Sequence, residues 1–237
     1  MTLDHQSIAS AKAMARLAGL SYLIYIAAGL YKTFFTGPGV SAFADPAAIT
    51  PAAEALYRQV LLTETVLYLF VVIAAASMFA TLRIVSSGLA AVGGALRLTE
   101  AVLGAGFILF NYAAFVAVTG GGLVEAFSEP QRAALNSLFV SVYGSALFFL
   151  LIFMGVGATI FFFLFYRSRF IPRWLAAWGM LTYTVMVVLS AAIILHPPFK
   201  EHVMLFFMPG SLFELVAGLW LLIAGINTQH WEDRHRS

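Results

Sequence analysis

The chain has 237 residues, of which 62% are hydrophobic and only 10% are charged, and its mean hydropathy is +0.92. A soluble domain carries about 25% charged residues, and a fold of this size cannot hide so much apolar surface from water. The composition therefore excludes a water-soluble protein and predicts an all-α, polytopic membrane helical bundle. The net charge of +2 indicates no nucleic-acid partner, and the lack of cysteine excludes disulfides and thiolate chemistry.

Six long apolar stretches predict six transmembrane helices in a single domain. The first stretch is too long and too aromatic to be a signal-peptide core. Stretches rich in glycine, proline and polar residues separate the helices, with short helices predicted at Pro51–Tyr57 and after Pro130. The predicted spans cover about residues 15–35, 60–82, 89–118, 138–166, 174–195 and 209–226.

The basic residues orient this topology. Eight Lys and Arg residues fall on the side of the two termini and four fall on the other side, which predicts N-in and C-in by the positive-inside rule. Trp174, Trp178 and Trp231 cluster at the predicted inner interface, where aromatic residues are enriched. We therefore expect a multi-pass protein of the cell inner (cytoplasmic) membrane, with membrane lipid as its surroundings.

The third predicted helix carries Arg97, Glu100 and Asn111 inside an apolar stretch. A charged side chain at the bilayer centre costs roughly 3 kcal/mol on insertion scales unless it is paired or hydrated. The three residues and Gly104 share one helix face, and Arg97 can pair with Glu100 at i,i+3. The face is interpreted either as the charged floor of a cavity or as an ion pair that fixes helix packing.

Two further carboxylates accompany Asn111 in the predicted outer half of the bundle. Glu64 and Glu214 lie on the second and sixth helices, at a depth similar to that of Asn111. Neighbouring carboxylates suit proton or cation handling. The alternative is that they face different directions near the interface, and Glu64 is predicted to lie only one turn inside its helix.

The fifth helix places Tyr183 near mid-membrane, as a cross-helix hydrogen-bonding residue or part of a polar site. At the outer edge, His196, Glu201 and His202 match no metal-binding spacing. The sequence therefore predicts no metal site and no cofactor.

Four segments carry a resemblance to a known family: Ala15–Gly29, the third helix with its Arg and Asn, Tyr166–Gly179 and Gly210–Asn227. They resemble the bacterial membrane proteins grouped as domain-of-unknown-function family 4386, over about Ala15–Asn227. The most specific pieces are the Ser-x-Phe-Ile-Pro-Arg turn and the ending Glu…Leu-Trp-Leu-Leu. The chain departs from the family pattern in its fourth helix, where Phe153–Ile160 contains no His. The resemblance implies a multi-helix bundle.

Three functions fit these residues, and we expect the first. It is binding or translocation of a small lipophilic or polar-headed molecule in a polar cavity lined by the third and sixth helices. The second is an intramembrane lipid-modifying enzyme with Glu214 or Glu64 as base and His196 or Tyr183 as its partner. The third is a structural or accessory role. The candidate ligand-binding residues are Arg97, Glu100, Asn111, Glu214, Glu64 and Tyr183.

Overall fold

The computed structural model describes residues 5–36, 50–120, 122–203 and 208–236, and almost all of them are helical. Short helical turns cover Lys32–Thr36, Gly122–Ala126, Pro197–Phe199 and Lys200–Val203. The longer helices are α1 (His5–Tyr31), α2 (Pro51–Leu82), α3 (Ser87–Thr119), α4 (Glu129–Ser168), α5 (Arg173–Leu195), α6 (Met208–Ile223) and α7 (Thr228–Arg236).

The predicted helical membrane bundle is confirmed. Within the described residues, five helices are long and apolar enough to cross a membrane, and these are α1 to α5. The pair formed by α6 and α7, bent by 77°, meets the same test when it is counted as one broken span. The six-span count fits that arrangement.

The six long helices form a closed ring around the core. Each of α1 to α5 packs on the next helix in the chain, and α6 packs on both α5 and α1. Short connections favour this neighbour-to-neighbour packing of antiparallel helices. Side chains from all six helices therefore face a common interior, where Glu64, Arg97, Glu100 and Glu214 are buried.

Helix α2 begins nine residues earlier than predicted. Thr50 caps it by accepting a hydrogen bond from the Ala53 backbone N–H at 3.2 Å, and Pro51 occupies the first helical position. The separate short helix predicted at Pro51–Tyr57 is thus the first two turns of α2. The predicted position of Glu64 one turn inside its helix was wrong, because four turns precede it.

Two other helices also begin earlier than predicted. Helix α4 starts at Glu129, where Ser128 and Gln131 form a capping box, so the surface helix predicted after Pro130 is continuous with the fourth span. Helix α1 already begins at His5, and α6 ends at Ile223 rather than at residue 226. The chain turns there through Gly225, whose φ of 69° is a left-handed conformation. Helices α3 and α5 match their predicted spans within two residues.

Glycine allows two helix pairs in the ring to approach closely. A Cβ atom at Gly19 of α1 would lie 2.6 Å from the carbonyl oxygen of Gly218 on α6. A Cβ atom at Gly157 of α4 would lie 2.9 Å from the carbonyl oxygen of Gly93 on α3. Such small-residue contacts are typical of membrane helix interfaces.

The bundle is apolar outside as well as inside. Leu62, Val102, Leu109, Leu181 and Ile223 are each more than 60% exposed, which is the pattern expected where lipid replaces water. A contrasting set of buried aromatic rings, including Phe162, Phe213 and Tyr183, packs between α4, α5 and α6.

Candidate functional site

A cavity of about 390 Å³ opens inside the ring. Every long helix from α1 to α6 contributes to its wall. The prediction that the third and sixth helices line it was too narrow, since they supply only Glu100, Ser211 and Glu214. The apolar part of the wall consists mainly of side chains from α2 and α4, including Leu67, Val71, Leu150, Leu151 and Met154.

The first polar cluster in this cavity surrounds Glu64 and is called the Glu64 cluster. Lys32 forms an ion pair with Glu64, and Tyr143 donates a hydrogen bond to the same carboxylate oxygen. Lys32 also donates to the Tyr143 hydroxyl. Glu64 is 3% exposed, so its negative charge is balanced inside the bundle rather than at the interface.

The Glu64 cluster extends to α3 through Asn111. The Asn111 Nδ2 atom donates to Glu64 Oε2 at 3.4 Å. On its other side, Tyr57 donates to the Asn111 side-chain oxygen and, at 2.8 Å, to its backbone carbonyl. The predicted candidates Glu64 and Asn111 therefore lie together, and the chain of contacts links α2, α3 and α4 with the turn that directly follows α1.

The second polar cluster in the interior surrounds Glu214 and is called the Glu214 cluster. Tyr183 donates to Glu214 Oε1 at 2.8 Å, and Tyr25 donates to the same oxygen at 3.2 Å. The Tyr22 ring lies beside that of Tyr25, tilted by 47° and with ring centroids 5.0 Å apart. No side chain that the structure describes donates a hydrogen bond to Glu214 Oε2. Glu214 is 7% exposed and lines the cavity.

The Arg97–Glu100 ion pair lies between helices in the same interior. Arg97 Nη1 is 2.6 Å from Glu100 Oε2, and the two residues are 1% and 3% exposed. The two atoms do not meet hydrogen-bond geometry, and Arg97 Nη2 has no hydrogen-bond partner among the side chains in the described ranges. Arg97 also interacts electrostatically with Glu214. Of this pair, Glu100 faces the cavity.

The charges of the cavity do not cancel within the described part of the chain. The carboxylates of Glu64, Glu100 and Glu214 line it. Lys32 balances the first, and Arg97 is shared by the other two. Counted as ionised groups, three negative charges face two positive ones. The excess is negative, and Glu214 lacks a cation bonded to it.

The structure thus sorts the six predicted residues into three groups: Glu64 with Asn111, Arg97 with Glu100, and Glu214 with Tyr183. It does not join Glu64 to Glu214 by any hydrogen bond that it describes. His196 lies at the C-terminal cap of α5 and is exposed, and no described contact connects it to either carboxylate. Among the residues that the structure describes, no group of three His, Cys, Asp or Glu side chains could hold a metal ion.

Sequence reasoning missed the partners of these residues. Lys32 is one of the four basic residues that the sequence places on the outer side. The signal for its pairing was topological, because the C-terminal end of α1 and the outer half of α2 lie at one depth in an antiparallel pair. Tyr143 of the fourth helix was not predicted as a partner of Glu64. Tyr25 and Tyr57 were not singled out, because a tyrosine in an apolar run is ordinarily a packing residue.

Comparison with known proteins gives a family and nothing beyond it. The family described as "Domain of unknown function (DUF4386)" matches residues 17–225, which is most of the chain. No curated protein and no solved structure matches it. The resemblance in the four segments therefore extends over the whole bundle, and the chain belongs to the DUF4386 family.

Proposed function

We propose that this membrane protein binds a small molecule with a lipophilic body and a positively charged head in the central cavity. The observation that carries the proposal is Glu214, a buried carboxylate on the cavity wall whose Oε2 has no described donor. Tyr183 and Tyr25 donate to the other oxygen, but no described cation is bonded to this buried carboxylate, which is an unfavourable arrangement for its charge. An ammonium group placed at Oε2 gains a charge partner and a hydrogen bond.

The rest of the cavity supports the same type of ligand. Its volume of about 390 Å³ is in the range of small-molecule sites, about 300–1,000 Å³. Most of the wall beyond the carboxylates is apolar, with aliphatic and methionine side chains such as Leu67, Leu151 and Met154, and Lys32 lies beside Glu64. Methionine adapts to ligands of different shape. An apolar body fits against this wall while the head contacts Glu214 and Glu100.

The test uses three probes with one alkyl chain and different heads: octylamine, octanol and octanoate. The protein is held in phosphatidylcholine nanodiscs, and binding is measured by calorimetry. We expect octylamine to bind most tightly. Glu214→Gln keeps the size and the acceptor oxygen but removes the charge, and a charge-assisted hydrogen bond contributes about 1.5–3 kcal/mol. The variant should therefore weaken octylamine binding at least about tenfold.

Glu54→Gln is the matched control. Glu54 is a glutamate of α2 outside the cavity and forms an exposed ion pair with Arg58 at 2.7 Å. This variant should bind octylamine like the unmodified protein. Equal binding of all three probes, or equal losses in the two variants, would contradict the proposal.

One contact favours a second function, an intramembrane enzyme that modifies lipids. The Tyr183 hydroxyl and Glu214 Oε1 are 2.8 Å apart, which is within reach for proton transfer. If the protein has this second function, incubating it with vesicles of phosphatidylethanolamine and phosphatidylglycerol should yield a modified lipid, which mass spectrometry detects. Tyr183→Phe then abolishes the product while octylamine binding persists. An unmodified protein that leaves every lipid unchanged argues against it.

A further inference from the structure

A second cleft lies at the opposite end of the bundle from Lys32. It has a volume of about 440 Å³ and separates the α4–α5 turn from helix α7. Four of its seven lining residues are arginines, and the lining consists of Arg167, Ser168, Arg169, Arg173, His230, Asp233 and Arg234. This set is called the arginine cleft. It shares no residue with the central cavity.

The fold holds the two walls of the cleft in place. The Asn227 backbone N–H donates to the Phe170 carbonyl at 2.8 Å, which ties the start of α7 to the α4–α5 turn. Asn227 then caps α7 by accepting from the His230 N–H at 3.2 Å. Trp231, a residue of α7, has a buried side chain. Because α7 is bent by 77° from α6, it runs across the helix ends rather than along the bundle.

The charge of the cleft is strongly positive. Arg167, Arg169 and Arg173 are exposed, and Asp233 is the one carboxylate among the lining residues. Arg173 also lies over the ring of Tyr166 at 4.9 Å, which orients its guanidinium. Arginine is the side chain best suited to phosphate, because its planar fork binds two oxygens at once.

Arg169 occupies a position that ordinarily favours glycine. Its φ of 60° makes it the single non-glycine residue with positive φ among the residues described, and it caps the C-terminal end of α4. A left-handed conformation is unfavourable for a residue with a Cβ atom, and helices commonly end there with glycine. The backbone conformation at position 169 therefore does not explain the presence of an arginine there. A functional role for its positive charge would explain it.

We propose that the arginine cleft binds the phosphate-bearing headgroup of an anionic membrane phospholipid. The cleft lies at the ends of the apolar spans, beside Trp174, which is 58% exposed and contacts Trp220 edge to face. Exposed tryptophan at a helix end is typical of the headgroup level of a bilayer. Basic pockets at that level recognise anionic headgroups. A lipid reaches the cleft from the bilayer itself.

The test measures binding of phosphatidylglycerol to the detergent-purified full chain by native mass spectrometry. Phosphatidylcholine and inorganic phosphate are separate arms. Each arginine near an anionic headgroup contributes about fivefold in affinity. Arg169→Gly should thus weaken phosphatidylglycerol binding about fivefold, and Arg169→Gly combined with Arg173→Gln about 25-fold. Because glycine favours the backbone conformation at position 169, the first variant should fold at least as well as the unmodified protein.

The matched control is Arg16→Gln combined with Arg83→Gln. Both arginines are exposed and belong to the eight basic residues on the side of the two termini, which is also the side of the cleft. Neither of them lines the cleft. This control should bind phosphatidylglycerol normally, and phosphatidylcholine should bind weakly to every variant. An equal loss in the control would overturn the proposal, since net charge alone would then explain binding. If inorganic phosphate binds as tightly as phosphatidylglycerol, the proposal that the bound phosphate group belongs to a lipid is wrong.

Discussion

The Arg97–Glu100 ion pair gives the sharpest prediction about what holds the bundle together. The two side chains are 1% and 3% exposed, so removing one of them leaves the other charge buried without its partner. Loss of one member of a buried pair costs about 3–5 kcal/mol, whereas replacing both members by apolar residues is often neutral or stabilising. We therefore expect Arg97→Met to lower the free energy of unfolding by about 3–5 kcal/mol, and Arg97→Met combined with Glu100→Met to restore much of that loss.

The assay is unfolding by sodium dodecyl sulfate in mixed micelles, followed by the fluorescence of the four tryptophans. Arg58 and Glu54 provide a matched control, because they form an ion pair of nearly equal length, 2.7 Å against 2.6 Å, on an exposed surface. Arg58→Met should cost less than about 1 kcal/mol. The prediction is wrong if Arg97→Met lowers the free energy of unfolding no more than Arg58→Met does. It is also wrong if the double variant at 97 and 100 loses as much as the two single variants together.

Three further changes should act through contacts described above, and the same unfolding assay measures each. Gly19→Ala should destabilise by about 1–3 kcal/mol, because its Cβ atom would overlap the backbone of α6; Gly106→Ala, with no atom within 4 Å of its Cβ position, should be neutral or stabilising. Tyr57→Phe should cost about 1 kcal/mol through the lost hydrogen bonds to α3, and no loss would show that these bonds contribute nothing. Lys32→Met should destabilise by leaving Glu64 buried without its cation, and adding Glu64→Gln should recover part of the loss; a larger loss in the double variant would argue against the pairing.

The fold class could be predicted because it depends on composition and on the length of apolar runs. Both are properties of the sequence alone. The start of α2 could not be predicted from hydropathy, because its first nine residues belong to an Ala- and Pro-rich segment that lacks the apolar pattern of a span. Thr50 is the N-cap of α2 and Pro51 is its first residue. These are signals of a helix start that hydropathy alone does not detect.

The candidate site could be predicted only in part. Arg97 and Glu100 are close in sequence on one helix, so their pairing follows from helix geometry. Glu214 and Tyr183 lie on different helices, and their 2.8 Å contact depends on the packing of α5 against α6. The cavity itself arises from the closure of the ring between α1 and α6, which no local pattern encodes.

The most direct test of the proposed function is native mass spectrometry of the protein as purified from its membrane. We predict a small amine-bearing molecule bound at one per chain, which is lost in Glu214→Gln and retained in Glu54→Gln. A protein that carries no such molecule and gives no response to added octylamine would contradict it. The same contradiction would follow if a copurifying molecule remained bound at equal occupancy after Glu214→Gln.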